Sequence, residues 1–345
     1  MKFTKEHLCD LPFCYAVSPV TLNGRLHYVF ATDDTGPCCC IDAETHKAET
    51  VWDEPGGTMS VVPVPNSNGD FLASQRFFPG FRALDCRIVR ALRENGVWKV
   101  NPWLDLPYVH RFDILERGGV YYLLCCILST TQNPQTDWKC PGVLMAAELN
   151  ADFSPPKHLD IIAQGMTKNH GYCRVECDGF SKAFTACDEG VFEVLPPERR
   201  GGAWTVKKIL ETHASDVAVC DIDGDGEDEL AVIEPFHGTD FVVYHKKENQ
   251  YTELYRYPNK MDFVHVVWGG KLCGEPVFLG GCRAVDKELF VLRWKHGTIC
   301  AEQIENGKGP SNVAVIHGAG EDTLLVANRE SAEAAVFSVQ ADGEE

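Results

Sequence analysis

The segment Ser215–Ile233, SDVAVCDIDGDGEDELAVI, places two short apolar stretches on either side of an acidic turn that contains glycine. Each stretch has the length of a β-strand, and neither shows the 3.6-residue apolar period of an amphipathic helix. Gly224 and Gly226 supply the backbone freedom that a tight turn needs. The segment therefore predicts a β-hairpin, and the same pattern of strand, turn and strand recurs along the chain.

Six other segments repeat an apolar strand, a polar turn and a second apolar strand. The first strands of all seven segments lie near Val17, Val61, Val109, Tyr172, Val217, Val264 and Val313. The steps between them are 44, 48, 63, 45, 47 and 49 residues. A period of about 40–50 residues built from short strands is typical of β-propellers. The sequence predicts an all-β, seven-bladed β-propeller in which residues 1–345 form a single domain; a pair of mixed β-sandwiches is the alternative.

The two ends of the chain together provide the residues of one repeat, because 32 residues follow Val313 and 16 precede Val17. We therefore expect the last blade to combine three C-terminal strands with an outer strand from the N-terminus, which removes an exposed sheet edge. The 63-residue step contains two insertions, Ser129–Gly142 and Asp152–Leu159. Extra residues within one repeat usually form loops, often on the binding face.

The composition excludes several classes of function. The net charge is −18, from 32 basic and 50 acidic residues, so binding to nucleic acid or to an anionic membrane is disfavoured. No apolar run approaches the roughly 20 residues of a membrane helix, and the N-terminus lacks the apolar core of a secretory signal. The 16 cysteines include no CxxC pair, and we interpret most as small buried apolar residues of a cytoplasmic protein.

The acidic turn has the spacing of a calcium-binding loop. Carboxylates occupy its positions 1, 3, 5 and 9, and a backbone carbonyl adds a further oxygen; the expected ligands are Asp221, Asp223, Asp225, Glu227 and Glu229. An EF-hand would place Glu at position 12, where Val232 stands in a strand-like run. The turn resembles the calcium loop of FG-GAP/VCBS-type propeller repeats, and this resemblance implies a structural calcium ion.

The alternating strands of a propeller divide its loops between two faces. The upper face carries the loops that lead into first strands and those that join second to third strands, whereas the lower face carries the turns between first and second strands, including the acidic turn. Five histidines from successive blades are expected on the upper face: His110, His170, His213, His237 and His265. Each alone could be a structural histidine, but together they predict a functional cluster.

Two chemistries are open to this cluster. His170, His237 and His265 could hold a divalent ion such as zinc or manganese as a Lewis acid. Without a metal, the same imidazoles and His110 could act as general acid and base. Other polar and aromatic side chains expected at the upper face are Lys168, Arg76 and Tyr108 as catalytic groups, and Arg283, Arg329, Asn169 and Phe78 as substrate-binding groups.

Two upper-face loops have their own interpretation. In IEPFHG, Ile233–Gly238, the carboxylate of Glu234 is expected to orient His237. In QRFFPGF, Gln75–Phe81, the aromatic rings could stack on a sugar or simply pack at the rim.

The acidic turn, the EPFHG loop and the seven repeats resemble the propeller domain of aldos-2-ulose dehydratases, although the cupin-like domains of that family are not present in this sequence. The resemblance implies a metal-assisted lyase or isomerase acting on a keto-sugar or sugar acid. Oligogalacturonate lyases, another propeller family with metal-binding histidines, also favour lyase chemistry. The alternatives are a non-catalytic, integrin-like interaction propeller and a metal-dependent lactonase or other hydrolase.

Overall fold

The computed structural model describes residues 1–131, 138–248 and 250–343, so the predicted insertion 129–142 lies partly outside the described residues. The described residues form 28 strands and one short 3₁₀ turn, Arg329–Ser331. Among them, no helix has the length and apolarity needed to cross a bilayer. The expectation of an all-β propeller is confirmed.

The chain begins with β1 (Lys2–Asp10), which belongs to the last blade. The strands of blades 1 to 3 then follow in chain order: β2 (Cys14–Leu22), β3 (Arg25–Thr32), β4 (Cys38–Asp42), β5 (Ala48–Trp52); β6 (Val61–Pro63), β7 (Phe71–Gln75), β8 (Arg87–Glu94), β9 (Val97–Asp105); β10 (Val109–Arg117), β11 (Val120–Ser129), β12 (Pro141–Glu148) and β13 (Asp160–Met166).

Blades 4 to 7 repeat the arrangement of four antiparallel strands. Their strands are β14 (Gly171–Cys177), β15 (Phe180–Cys187), β16 (Gly190–Leu195), β17 (Thr205–Leu210); β18 (Asp216–Cys220), β19 (Glu229–Glu234), β20 (Asp240–Lys247), β21 (Gln250–Arg256); β22 (Asp262–Leu272), β23 (Glu275–Ala284), β24 (Leu289–Lys295), β25 (Thr298–Glu305); β26 (Pro310–Ile316), β27 (Asp322–Asn328) and β28 (Glu333–Gln340). The sheets of blades 3 and 4 touch through one pair, Arg117 with Phe180.

In each blade the second strand is mostly buried and the fourth strand is the most exposed. The outer strands β9 and β21 alternate exposed and half-buried residues, whereas β7 and β18 are buried throughout. Large aromatic rings fill the gaps between blades: Phe71 of blade 2 lies 6.2 Å from Trp52 of blade 1, and Tyr257 stacks on Phe290 at 3.8 Å. Apolar burial between sheets therefore holds the blades together.

The N-terminal strand closes the ring as predicted. β1 pairs antiparallel with β28, and the last sheet has the order β1, β28, β27, β26. Lys5 on β1 binds both Glu333 of β28, at 2.7 Å, and Glu305 of the neighbouring blade, at 2.5 Å. Closure therefore combines a strand ladder with a half-buried charge network.

Glu333 should make this closure sensitive to acid. Burial opposes ionisation of its carboxyl, but hydrogen bonds from Lys5 and Asn328 outweigh burial and lower its pKa to about 2. Because an unfolded glutamate titrates near pH 4.3, this stabilisation is complete above that pH and is lost as the pH falls toward 2. We expect Glu333→Gln to cost about 2 kcal/mol of unfolding free energy at neutral pH and nothing near pH 2. Urea unfolding across this pH range tests the expectation, with Glu198→Gln, an exposed ion-pair partner, as the matched control.

Candidate functional site

A ring of side chains from the starts of the inner strands surrounds the propeller axis. In four blades the ladder between the first and second strands skips one residue at the same place; the skipped residues are Tyr15, His110, His265 and Ser311. Such a bulge turns the extra residue out of the ladder. His170 and Ser215 stand directly before β14 and β18 in the two blades between. Local backbone irregularity thus gathers histidines at one end of the axis.

His237 joins the ring from a different element, the loop that follows β19. Its backbone is in the left-handed region, with φ of 47°, and its N–H donates to the Ser215 hydroxyl at 3.1 Å. The imidazole packs against Phe236, with ring centroids 4.2 Å apart, and against Phe263 at 4.6 Å. These contacts fix the ring above His170.

Hydrogen bonds set the tautomers of two imidazoles. The Nδ1–H of His170 donates to the Ser215 carbonyl at 3.1 Å, and that of His265 donates to the Ser311 carbonyl at 2.7 Å. Each Nε2 then presents a lone pair toward the axis. Backbone carbonyls of neighbouring blades thus act as the orienting partners that metal-binding histidines usually have.

The three Nε2-bearing rings converge on one point. The Nε2 atoms of His170 and His237 lie 3.2 Å apart, and a ligand atom from each of His170, His237 and His265 lies within 4.8 Å of the other two. Two nitrogens bound at about 2.0–2.1 Å to one tetrahedral or octahedral ion are themselves separated by roughly 2.9–3.4 Å. The spacing of the first pair therefore fits a shared divalent ion, with the third ring close enough to complete the set.

The imidazoles are held in the neutral form. Burial lowers the pKa of His237 to about 3, and it lowers the pKa values of His110, His170 and His265 well below their ordinary value. The positive charge of Arg111 acts in the same direction on the last three. Neutral imidazoles keep their lone pairs available to a metal ion.

Tyr15 is a site residue that the sequence reasoning missed. Its hydroxyl lies 3.1 Å from the Nε2 of His265, and burial raises its pKa to about 12. Tyr15 occupies the bulge position that His110 and His265 hold in their own blades. The spacing of the first strands did not show this, because Tyr15 precedes Val17 by two residues whereas the two histidines directly follow Val109 and Val264. Since the Nδ1–H of His265 is used by Ser311, the Tyr15 hydroxyl donates to the Nε2 lone pair, and a metal ion bound at Nε2 would release this hydroxyl to donate a proton elsewhere.

Above the ring is an open bowl of about 220 Å³ whose wall carries two arginines and an acid. Arg283 donates to Glu330 at 2.7 Å and lies over the Phe263 ring at 4.3 Å. Arg329 donates to Asp33 at 2.5 Å. The second oxygen of Asp33 is buried and has no partner among the described residues. Both guanidinium groups of the wall are therefore already paired with acids, and the free oxygen of Asp33 can accept a hydrogen bond from a hydroxyl.

Aromatic rings form the other side of the bowl. Phe78 and Phe81 line it, and Phe81 contacts Trp138 at 5.4 Å. Trp138 stands in the predicted insertion of blade 3, so the described part of that insertion reaches the upper face. Lys168 lies over both Trp138 and Phe236 and forms an ion pair with Asp188 at 2.8 Å.

Several predicted residues lie outside the bowl. Tyr108 and Arg76 line a neighbouring pocket, which Phe78 shares. Asn169 is fully buried and donates to the Val143 carbonyl at 2.9 Å. His213 is exposed and does not join the other four histidines, because it precedes Ser215 by two residues and the ring position is filled by the serine.

The expectation that Glu234 orients His237 is not met. The Glu234 carboxylate instead accepts hydrogen bonds from the hydroxyls of Thr212 and Tyr244, each at 2.7 Å.

The acidic turn lies at the opposite end of β18 from the histidines. Five strand residues separate them, or roughly 17 Å. A carboxylate oxygen from each of Asp221, Asp223 and Asp225 lies within 4.8 Å of the other two, an arrangement that suits a calcium ion. The Glu227 carboxylate pairs with Lys246, which does not bear on the backbone carbonyl expected as a ligand. Buried Glu229 accepts from His245 at 2.7 Å, and these two residues form a second possible metal group with Asp223.

Comparison with protein families identifies the same segment. The family model of the FG-GAP repeat matches residues 213–249, which contain β18, the acidic turn, β19 and β20. No curated protein matches the sequence.

Solved structures show the same fold over nearly the whole chain. The aldose sugar dehydrogenase of Streptomyces coelicolor, solved in its PQQ-bound form, superposes with a TM-score of 0.52 at 12% identity, covering 98% of both chains. The β-propeller domain of Cps50 (Swd1) from Myceliophthora thermophila gives a TM-score of 0.61 at 9% identity, covering 98% of this chain and 100% of its own. Sqt1 of Saccharomyces cerevisiae gives 0.55 at 8% identity and 99% coverage of both. At such low sequence identities, the structural similarity shows the propeller fold and nothing about function.

Proposed function

We propose that this protein is a metal-dependent lyase or isomerase acting on a keto-sugar or sugar acid at the upper face. The observation that carries the proposal is the convergence of three neutral imidazoles within 4.8 Å of one another. Two of them, His237 and His265, line the bowl with its arginine and aromatic walls. The EPFHG loop, through which the chain resembles aldos-2-ulose dehydratases, supplies one of these imidazoles. The sugar dehydrogenase among the structural neighbours makes sugars a reasonable first substrate panel.

The metal would be held by the Nε2 atoms of His170, His237 and His265. A zinc or manganese ion bound there would supply a Lewis acid that polarises a substrate carbonyl or carboxylate. Three protein ligands leave positions open for a substrate, as in catalytic rather than structural sites.

Side chains around the ring can move the protons that an elimination requires. In that reaction the carbon next to the carbonyl loses a proton, the hydroxyl on the following carbon leaves as water, and a carbon–carbon double bond forms. His110 lines the bowl, and its Nδ1 has no partner among the described residues, so this nitrogen is free to accept the carbon-bound proton. Burial lowers the pKa of His110, so the proton would have to be passed on to solvent at once. Tyr15 can donate to the departing hydroxyl, and solvent returns the proton from imidazolium to phenolate.

The bowl wall would hold the substrate. Arg283 and Arg329 are placed to bind a carboxylate, and the rings of Phe78, Phe81 and Phe263 offer flat apolar surfaces to the sugar. The free oxygen of Asp33 would accept a hydrogen bond from a sugar hydroxyl.

The experiment that tests the proposal measures chemistry and metal together. Protein freed of metal by chelation is supplied with zinc or manganese and mixed with keto-sugars, uronates and their oligomers, and new double bonds are followed by ultraviolet absorbance and isomers by chromatography. Turnover that requires the added metal supports the proposal. Stoichiometric metal without turnover on any substrate of this class, or no metal binding, contradicts it; the latter result would favour an interaction propeller.

We also propose that Asp221, Asp223 and Asp225 hold a structural calcium ion on the lower face. Added calcium at about a hundred times the dissociation constant should then stabilise the fold by about 2.7 kcal/mol. Thermal unfolding with calcium and with a chelator measures this difference. Asp221→Ala should abolish the response, whereas Asp178→Asn, in the corresponding exposed turn of blade 4, should leave it intact. A calcium response that survives Asp221→Ala would contradict the assignment.

A further inference from the structure

The propeller axis contains a second cavity below the histidine ring. It has a volume of about 330 Å³ and is lined by first-strand residues of all seven blades, a size at the lower end of the range of small-molecule sites. Only Met59 and His265 line both this axial cavity and the bowl. Its wall is partly exposed, for example at Arg174, Trp268 and Val313, so the cavity is open to solvent.

Arg111 brings a positive charge into the axial cavity and forms no ion pair with a carboxylate of the described residues, although its charge partly opposes the rise that burial causes in the pKa of Asp216. Its Nη1 donates to the Met59 carbonyl at 2.7 Å and its Nη2 donates to the Asn312 side chain at 3.0 Å. Its Nε is buried and has no hydrogen-bond partner among the described residues. The guanidinium is therefore fixed by two other blades while one donor stays unused, and a buried unpaired donor on a charged group is costly unless a ligand satisfies it.

The remaining polar groups of the axial cavity suit hydroxyls better than a second negative charge. Asp113 and Arg174 face each other, with Nη1 and Oδ1 3.7 Å apart, and Asp113 also accepts from the Tyr172 hydroxyl at 3.1 Å. Asp216 accepts backbone N–H bonds from Tyr172 and Val217 through one oxygen, at 3.0 and 2.9 Å. Two acids and one unpaired arginine favour a monoanion over a phosphate dianion.

We propose that the axial cavity is a second ligand site that binds a small hydroxycarboxylate, with the carboxylate on Arg111 and hydroxyls on Asn312 and Asp216. The site is separate from the bowl, and its existence does not require the proposed upper-face chemistry. The planar guanidinium of Arg111 would fix the position of the carboxylate, because the protein already anchors its Nη1 and Nη2 nitrogens.

Calorimetric titration of the whole protein with glucuronate tests the proposal, with glucose as the neutral control and inorganic phosphate as the dianionic one. His237→Ala serves as the background because it removes one ligand of the proposed upper metal site. On that background we expect glucuronate to bind, glucose and phosphate to bind at least tenfold more weakly, and Arg111→Gln to weaken glucuronate binding by about tenfold to a hundredfold. Arg111→Lys should give an intermediate loss of glucuronate affinity, because lysine keeps the positive charge but lacks the planar set of donors of the guanidinium.

Two further results decide between the cavities. If Arg283→Gln abolishes glucuronate binding while Arg111→Gln does not, all binding occurs in the bowl and the axial proposal is overturned. Equal binding of phosphate and glucuronate also overturns it. Circular dichroism and thermal unfolding of each variant establish that Arg111→Gln and Arg111→Lys are folded; if only the lysine variant folds, its loss of affinity relative to the parent decides.

Discussion

Replacing His237 by alanine is expected to remove metal-dependent turnover by about a hundredfold to a thousandfold, with little change in stability. The imidazole supplies one of three converging nitrogens, 3.2 Å from that of His170, and loss of a metal ion's contribution of several kcal/mol corresponds to such a factor. His237 stands on a loop and is only half-buried, so its removal leaves the core intact. Steady-state rates at saturating metal and metal content after gel filtration measure the effect.

His213→Ala is the matched control for this experiment. His213 comes from the same blade and was expected at the same face, yet it is exposed and outside the cluster. Its replacement should change neither metal content nor turnover. Equal activity of the His237→Ala variant and the parent protein, at equal metal content, would show that the ring does not carry the chemistry.

Replacing Gly171 by alanine is expected to damage both stability and the site. A Cβ atom at this position would lie 2.6 Å from the Cα of Asp216, 2.7 Å from the Ser215 carbonyl oxygen and 2.7 Å from the Cβ of Ala186. Two of these contacts are with the backbone of the next blade, so blades 4 and 5 must separate. We expect a loss of about 3 kcal/mol. Because the same Ser215 carbonyl anchors His170, metal binding should weaken as well.

Gly179→Ala, in the first turn of the same blade, separates this clash from the general effect of a methyl group. No atom lies within 4 Å of a Cβ at Gly179, although its φ is +79°, so this variant should lose only about 1 kcal/mol of backbone strain and retain metal. Denaturant midpoints and metal titrations of the two variants compare the effects. An equal loss of stability in both, with metal binding preserved, would contradict the role given to the close approach at Gly171.

The sequence could predict the propeller because the fold depends on a repeated local pattern. Strand, turn and strand recur at a nearly constant step. The incomplete repeats at the two chain ends together have the length of one blade, which predicts the pairing of β1 with β28. The acidic turn was equally readable, since the spacing of Asp221, Asp223 and Asp225 alone places their carboxylates on one side of a tight loop.

The axial ring was only partly predictable, since it depends on details that spacing does not encode. His110 and His265 reach the axis through bulges, and Tyr15 does so by the same device without being a histidine. His213 failed to join because the bulge-equivalent position of its blade is Ser215, whose carbonyl serves His170. The Glu234 carboxylate accepts from Tyr244 of the neighbouring strand and from Thr212 in the segment between β17 and β18. Such outcomes depend on tertiary contacts between blades.

The unpaired guanidinium of Arg111 was not recognised for a related reason. Nothing local marks it, since its partners Met59 and Asn312 lie 52 and 201 residues away along the chain. Neighbouring blades bring Met59 to Arg111, and ring closure brings Asn312 of the last blade to the same place.

The most direct test is to locate metal in crystals grown with manganese or zinc, by anomalous scattering collected on both sides of the absorption edge of that metal. We predict one strong peak bounded by the Nε2 atoms of His170, His237 and His265, each within bonding distance. No peak at this point in fully loaded crystals would contradict the account. So would a peak held by other residues while His170 keeps its hydrogen bond to His237 and His265 keeps its bond to Tyr15.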